Sequence, residues 1–483
     1  MAADPVMISD AVNYKAVDGY APRYRFRKIP LFNIASGSVL IPIGSTVQLQ
    51  FKLGADVYNL SKSYLSYSVQ LALTGAGVNN WLYADVPELA NQIQLTDGGS
   101  FPVTTINYAQ NYARLQRKLN TPLNEYIAND ITSGLAPSNA ALTGNAIYPT
   151  STNVANINFT ENAYALTSAA VSRSTYQRQY TLDVYKDSIF AMDRDLYFGR
   201  DMYINILAGP ASKFGFTGTA TANPTTGPAA LTTTGTGPAI MNCYLYLAVE
   251  VNPILNESIK AKYNNGGLTM MIPFPYQSRL TTASGQANTA FSVNYQIQPS
   301  MGQSIQKIIY QPQDNSNGET INFAYDNSNV GSIDGSGLST KITSYQTSID
   351  SQPLQDIQLY CSRGDPVVGL NQSLDDWREN SKFCENTCIL NSYIYQTNWF
   401  HQDCWVDCNG ASTVPKENIV SGLPLNVSRT WAVNGIIGTT TASLSHYIYT
   451  IVQRELTISP ITGIQFDVIK QAPGTTVAQT YVQ

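Results

Sequence analysis

Ionisable side chains are scarce: Asp, Glu, Lys and Arg together make up 13% of the 483 residues. An average soluble domain carries about 25%. Surface helices normally draw on Glu, Lys and Arg, so the shortage argues against a long coiled coil and against a mainly helical enzyme. With 28 basic against 33 acidic residues the net charge is −5, which argues against a basic nucleic-acid binder. Histidine occurs only twice, at His401 and His446, and neither sits beside a partner motif for acid–base or nucleophilic work. No phosphate loop, dinucleotide fingerprint, zinc-protease helix or nucleophile elbow is present. No apolar run approaches the ~18 residues of a membrane-spanning helix. The opening Met1 to Val6 lacks a basic segment followed by an apolar one, so synthesis and folding in the cytosol are expected. No enzyme and no cofactor are expected.

Aromatic and neutral polar residues are plentiful, with 31 Tyr and 33 Gly. Strict two-residue alternation recurs: Val47, Leu49, Phe51 and Leu53; Leu65, Tyr67, Val69, Leu71 and Leu73; Leu245, Leu247, Val249 and Val251. Phe291, Val293, Tyr295 and Ile297 repeat it, as do Ile464, Phe466 and Val468. Such alternation predicts antiparallel strands with one buried face. Asp97-Gly98, Asn265-Gly266, Asn317-Gly318, Asn409-Gly410 and Asn434-Gly435 supply turn chemistry. Helical signals are confined to Tyr108–Asp130, divided by Pro122, and to the segment 373–381.

Residues 131–158, 209–239, 278–290 and 311–340 are long, polar and aperiodic. They read equally as disordered insertions and as ordered loops packed on one another. The stretch 209–239 lies near the middle of the chain and is the candidate boundary. Arg200-Asp-Met-Tyr-Ile-Asn-Ile-Leu resembles Arg429-Thr-Trp-Ala-Val-Asn-Gly-Ile, 229 positions later. Two similar β-sandwiches follow as the expected architecture, with an arm at 1–30, a first unit at 31–225 and a second at 226–483.

Four of the six cysteines, Cys384, Cys388, Cys404 and Cys408, are spaced as two C-x3-C pairs. In one antiparallel hairpin Cys384 opposes Cys408 and Cys388 opposes Cys404. Positions four apart on a strand are then ~13 Å apart, too far for four sulfurs to share one zinc. Buried thiols, two cross-strand disulfides and, outside a hairpin, a zinc cluster remain as alternatives. Asp193, Asp195 and Asp201 beside Arg194 and Arg200 read as a strand edge with ion pairs rather than a metal site. Arg363-Gly364-Asp365 reads as a turn before Pro366. Arg23, Arg25, Arg27 and Lys28 interleave with Tyr24 and Phe26, which reads as a cationic edge strand or an arm contacting a partner.

Several segments carry a resemblance. Val57-Tyr58-Asn59-Leu60-Ser61 runs into the strand of Leu65, and Ile93-Gln94-Leu95 precedes Asp97-Gly98-Gly99. Asn107-Tyr108 leads to the helical segment from Tyr112 to Tyr126, while Gly422-Leu423-Pro424-Leu425 and Arg429-Thr430-Trp431 approach a late strand. With the two-sandwich layout these segments resemble a double jelly-roll major capsid protein of the lineage shared by tectiviruses, adenoviruses, virophages and polinton-like viruses. The resemblance implies an all-β chain of two consecutive eight-stranded jelly rolls with long loops and few short helices. It implies homotrimers of pseudo-hexagonal outline that tile an icosahedral virion shell, assembled in the host cytoplasm or a virus factory. Implied partners are neighbouring capsomers, penton and minor capsid proteins, and an internal membrane or genome met through the inner-face arm residues Arg23, Arg25, Arg27 and Lys28. The alternative is a carbohydrate-binding or glycan-cleaving β-protein such as a tailspike, which would need a Trp-rich groove.

Overall fold

The computed structural model describes residues 22–34, 38–70, 78–83, 89–98, 101–120, 163–167, 175–211, 215–219, 229–230, 238–283, 286, 288–314, 342–353, 359–360, 402–404, 423–437 and 443–467. The first half begins with strands β1 (Tyr24–Pro30), β2 (Ser38–Leu40), β3 (Val47–Lys52), β4 (Tyr58–Gln70) and β5 (Val78–Tyr83). Next come β6 (Ala90–Asp97), β7 (Pro102–Asn107), helix α1 (Ala109–Asn120), β8 (Ala163–Thr167) and β9 (Thr175–Thr181). It ends with β10 (Asp195–Leu196), β11 (Met202–Ala208), β12 (Gly215–Thr219), β13 (Ala229–Ala230) and β14 (Ala239–Glu250). Helix α2 (Pro253–Asn264) follows, with Pro253 in its first turn and the Asn252 side chain accepting from the Ile254 amide as its cap.

The second half begins with β15 (Leu268–Thr282), β16 (Ala290–Ile297), β17 (Ser304–Asp314), β18 (Ile342–Ile349), β19 (Gln352–Pro353) and β20 (Leu359–Tyr360). It closes with β21 (Gln402–Cys404), β22 (Leu423–Pro424), β23 (Arg429–Ile437), β24 (Leu444–Ser459) and β25 (Gly463–Phe466).

The two halves repeat one strand order. One sheet of the first half runs β1-β14-β4-β10, with β9 also on β4, and its second sheet runs β3-β11-β6-β7. In the second half the corresponding sheets run β15-β24-β17-β21, with β22 also on β17, and β16-β23-β18-β19. β1 pairs with β14 and β3 with β11 in the first half, as β15 pairs with β24 and β16 with β23 in the second, all antiparallel. This is the nested Greek-key order of a jelly roll. The 229-residue repeat falls on β11 and β23, which hold the same place in the two rolls. Its leading arginines also match: Arg200 lies 3.6 Å from Asp97 at the end of β6, and Arg429 lies 2.8 Å from Asp350 just past β18.

Strand direction sorts the connections. At one end of the first roll the strands are joined by short segments, 53–57 and 98–101 among them. At the other end Ile41, Pro42, Leu89, Gly209, Ala211 and Pro238 are knitted by backbone hydrogen bonds. The segments 31–46, 71–89, 108–174 and 209–238 all start and finish there. β5, β8, β12 and β13, drawn from three of these segments, form a separate four-stranded sheet. Parts of the polar stretch 209–239 are thus strands, paired with each other and with β5. The polar stretch at 278–290 instead opens as strand up to Thr282, because β15 pairs with β24 over its whole length.

Two sequence expectations are corrected by pairing. Asn434-Gly435 is no turn: it lies inside β23, where Gly435 stands opposite Phe291 on one side and Tyr345 on the other. Glycine inside a strand marks a position where no side chain of its own has to pack. The proposed break at residue 225 precedes β14, yet β14 lies between β1 and β4 of the first roll, so sheet membership changes at α2. The helix expected over Tyr108–Asp130 is described as Ala109–Asn120. The segment 373–381, Cys361, Cys384, Cys388, Cys408, Arg363 to Asp365 and His401 lie outside the described residues.

The core is built from the alternating positions. Leu49, Phe51, Val69, Ile93, Leu95, Ile204 and Leu247 are buried in the first roll, and Val293, Ile308, Trp431, Val433, Ile448 and Val452 in the second. Gly199, at φ +66, leaves room for the ring of Tyr263 from α2, where an added Cβ would overlap it. Tyr263 there packs edge-on against Tyr197 at 5.0 Å.

Candidate functional site

Two equivalent sheet faces have different surroundings. The outer face of the β15-β24-β17 sheet is covered by the first roll. Asn111 of α1 donates to the Tyr449 hydroxyl at 2.8 Å, and the rings of Tyr112 and Tyr449 are 5.2 Å apart. Tyr108 meets Tyr447 edge-on, also at 5.2 Å. The Asn107 amide donates to Gln277 of β15 at 2.9 Å. Asp187 takes 3.0 Å bonds from Lys307 of β17 and from Gln116 of α1. Burial pushes the Tyr449 phenol far above its ordinary value. A lysine as buried as Lys307, whose side chain is 5% exposed, is tolerable because Asp187 faces it.

The matching face of the first roll, on β1, β14 and β4, is uncovered among the described residues. Tyr64 stacks on Tyr246 with ring centroids 4.7 Å apart, Phe26 lies 5.4 Å from Tyr64, and Lys28 caps the Tyr244 ring at 3.7 Å. Phe26 is 49% exposed. Aromatic rings with a cation over them, partly open to solvent on a sheet face, have the composition of a protein-contact surface.

The four basic residues singled out at the N-terminal strand are not gathered on one face. β1 forms the edge of its sheet, as the cationic edge-strand reading expects. Arg27 is paired with Asp56 and the Leu53 carbonyl, while Lys28 points to the other face over Tyr244. Arg23 and Arg25 are exposed at the start of the strand.

The Asp193, Asp195 and Asp201 group also separates. Asp201 pairs with Lys52 at 2.7 Å and Asp193 with Lys62 at 2.6 Å. Asp195 is fully buried and accepts from Tyr24 at 2.9 Å. Its neighbour Glu250 is buried as well, a position that sequence reasoning missed. The cause is a β-bulge. Pairing of β14 with β4 shifts register between Tyr246 and Ala248, so the alternation reverses. Val249 and Val251 turn outward, contrary to the sequence reading, and Glu250 turns in.

Among the described residues no group of three or more His, Cys, Asp or Glu is placed to hold a metal ion. Cys243 is a buried thiol pushed up to about 12 by burial, and Cys404 lies on β21 opposite Ile308. His446 is buried in the second roll, hydrogen-bonded to Tyr310 at 2.8 Å and Thr282 at 3.1 Å, and burial lowers it to about 4. It is a satisfied core residue. Trp431 is likewise fully buried, so it lines no glycan groove. An open polar cleft of about 610 Å³ lies where α2 meets the short-turn ends of both rolls, lined by Asp97, Arg200, Tyr197, Tyr263 and Pro460 among others.

No family model matches the sequence, and no curated protein matches it. Solved structures do match. A quasi-atomic model of the PBCV-1 virus capsid covers 93% of this chain and 98% of its own, at 8% identity and a TM-score of 0.51. The 3.5 Å cryo-EM structure of the Sputnik virophage covers 95% of this chain and 92% of its own, at 12% identity and a TM-score of 0.50. The fold is the double jelly roll. At these identities the likeness is one of fold, and it extends across nearly the whole of all three chains. Both rolls of the double jelly roll are therefore accounted for in this molecule.

Proposed function

We propose that this chain is a structural major capsid protein whose homotrimers, pseudo-hexagonal in outline, tile an icosahedral shell. The observation that carries the reading is the pair of equivalent faces. Inside one chain, α1 and β7 of the first roll cover the outer sheet of the second. Repeating that arrangement from one copy to the next would place a second roll on the Phe26, Tyr64 and Tyr246 face of a neighbour. Six rolls from three chains then close a ring, a heterologous contact that ends rather than extends. Low charge and abundant Tyr suit surfaces that become buried between subunits.

On this reading the division into two units falls at α2, and the end bearing the long polar segments faces outward. The short-turn end, with Arg23 and Arg25 at the start of β1, faces inward to minor capsid proteins, a membrane or the genome. Neighbouring capsomers and pentons complete the partners, the place of action is the virion, and assembly occurs in the host cytoplasm or a virus factory. The role is structural, without an enzymatic step.

The test is light scattering coupled to size exclusion on the purified chain. Three copies of the 52.7 kDa chain give a species near 158 kDa, and negative-stain images of it should show a hexagonal outline. The double variant Phe26→Asp, Tyr246→Glu should elute as a folded monomer. A monomeric wild-type chain that binds or cleaves glycans would overturn the reading. A trimer that persists in the double variant would remove this face from it.

A further inference from the structure

We propose that Asp195 and Glu250 form a proton-operated clasp on the first residues of β1, closed when Asp195 carries a proton and loosened when it does not. This goes beyond the capsid reading and does not depend on it.

The geometry is specific. Glu250, turned inward where the pairing of β14 with the bulged β4 shifts register, accepts the Arg23 amide at 2.9 Å and the Asn252 amide at 2.7 Å on one oxygen. Its other oxygen lies 3.2 Å from the same Arg23 amide. Asp195 accepts the Tyr24 hydroxyl on Oδ1, while its Oδ2 is buried with no hydrogen-bond partner among the described residues. Two acidic side chains therefore hold two successive residues of an edge strand. One of the two keeps a buried oxygen that would carry uncompensated charge unless the carboxyl were protonated.

The other charged and titratable groups around Asp195 do not supply a counter-ion. From β4, Lys62 is committed to Asp193 at 2.6 Å, and Asn59 donates to the same Asp193 oxygen at 2.9 Å. Asn59 also reaches the Tyr24 hydroxyl at 3.3 Å. Arg194 donates to the Asp193 carbonyl at 3.1 Å. On β14, Glu250 adds a like charge, as Asp193 does from the adjoining turn. Burial is the main reason that Asp195 is raised to about 6, with the Glu250 and Asp193 carboxylates pushing the same way and the Tyr24 hydroxyl and Lys62 opposing.

The sign follows. A carboxyl freed by opening returns to its ordinary value of 3.8. Between that value and about 6 the closed clasp holds more protons than the open one. Raising the pH through this window therefore favours opening, and the effect is complete above it. From pH 5 to pH 7.5 the opening constant should rise about tenfold.

Amide hydrogen exchange over residues 24–30 reads this directly, once rates are corrected for intrinsic pH dependence and referenced to amides shared by β4 and β14. Protection of β1 should fall about tenfold from pH 5 to pH 7.5, while the reference amides hold theirs. Asp195→Asn keeps the acceptor for Tyr24 and cannot ionise, so its β1 protection should be flat. Tyr24→Phe removes a donor that favours the ionised form, so the midpoint should move to higher pH. A β1 response no different from the reference amides, an undiminished response in Asp195→Asn, or an unmoved midpoint in Tyr24→Phe would each overturn the clasp.

Discussion

β14 and β24 hold the same place in the two rolls, each paired with the first strand of its roll and central in its sheet, but they are covered differently. β14 alternates buried and half-exposed positions from Cys243 to Leu247, because one face meets the core and the other meets solvent. β24 buries every residue except Glu455 and Thr457. Its second face lies under α1 and the segment around Asp187. Ser445, His446, Thr450, Gln453 and Arg454 are buried in this strand along with the tyrosines, each of these polar groups needing a local partner. Arg454, for example, is bonded to Asp467 at 2.9 Å and to Tyr276 at 3.0 Å. One strand position in a shared fold can thus be a half-buried surface in one copy and an interior strand in the other, depending on what leans on it.

The sharpest way to break the comparison is to truncate one tyrosine from each strand. Tyr449→Ala removes a fully buried ring and the hydroxyl to which Asn111 donates, and should cost about 3–5 kcal/mol in denaturant titrations. A loss below ~1 kcal/mol would mean that the seam contributes little. Next comes the seam's ion pair. Lys307→Ala leaves Asp187 facing the interface without its cation and should cost about 2–3 kcal/mol, read from the same titrations.

The pH dependence of the second roll should carry a histidine signature of similar size. His446 is lowered from 6.5 to about 4 in the fold. The unfolded chain takes up a proton near 6.5 that the folded chain refuses until about 4. Stability therefore drops as pH falls through that window, by about 3 kcal/mol in all, and levels off below it. Asp195 works in the opposite direction over an overlapping range, so the informative quantity is the difference between wild type and His446→Gln at pH 7, 5 and 4. Identical slopes for the two proteins would contradict a buried neutral imidazole. The smallest effect is expected on the solvent side: Tyr246→Ala should change the stability of an isolated chain by about 1 kcal/mol or less. A cost matching that of Tyr449→Ala would erase the distinction between the strands.

Much of the first roll was legible in the sequence because one-sided burial leaves period-two alternation. The runs from Val47 and from Phe291 both became strands with the expected buried face. The short repeat at Arg200 and Arg429 found equivalent strands because each arginine pairs with an aspartate at the same corner of its roll. β24 was not legible, since a strand covered on both faces has no polar face to alternate with. Glu250 escaped for a different reason. A bulge inverts the inside and outside of a strand without marking the sequence of that strand, because the extra residues lie on its partner β4.

By itself the sequence determined an all-β chain in two similar halves, poor in charge and without a recognisable catalytic motif, because composition and alternation are local properties. The tertiary structure alone decided that β14 closes the first roll, that the second roll's outer sheet is an interior surface, and that Asp195 and Glu250 meet. Each of these depends on pairing between residues more than a hundred positions apart, and no local pattern encodes such a partner.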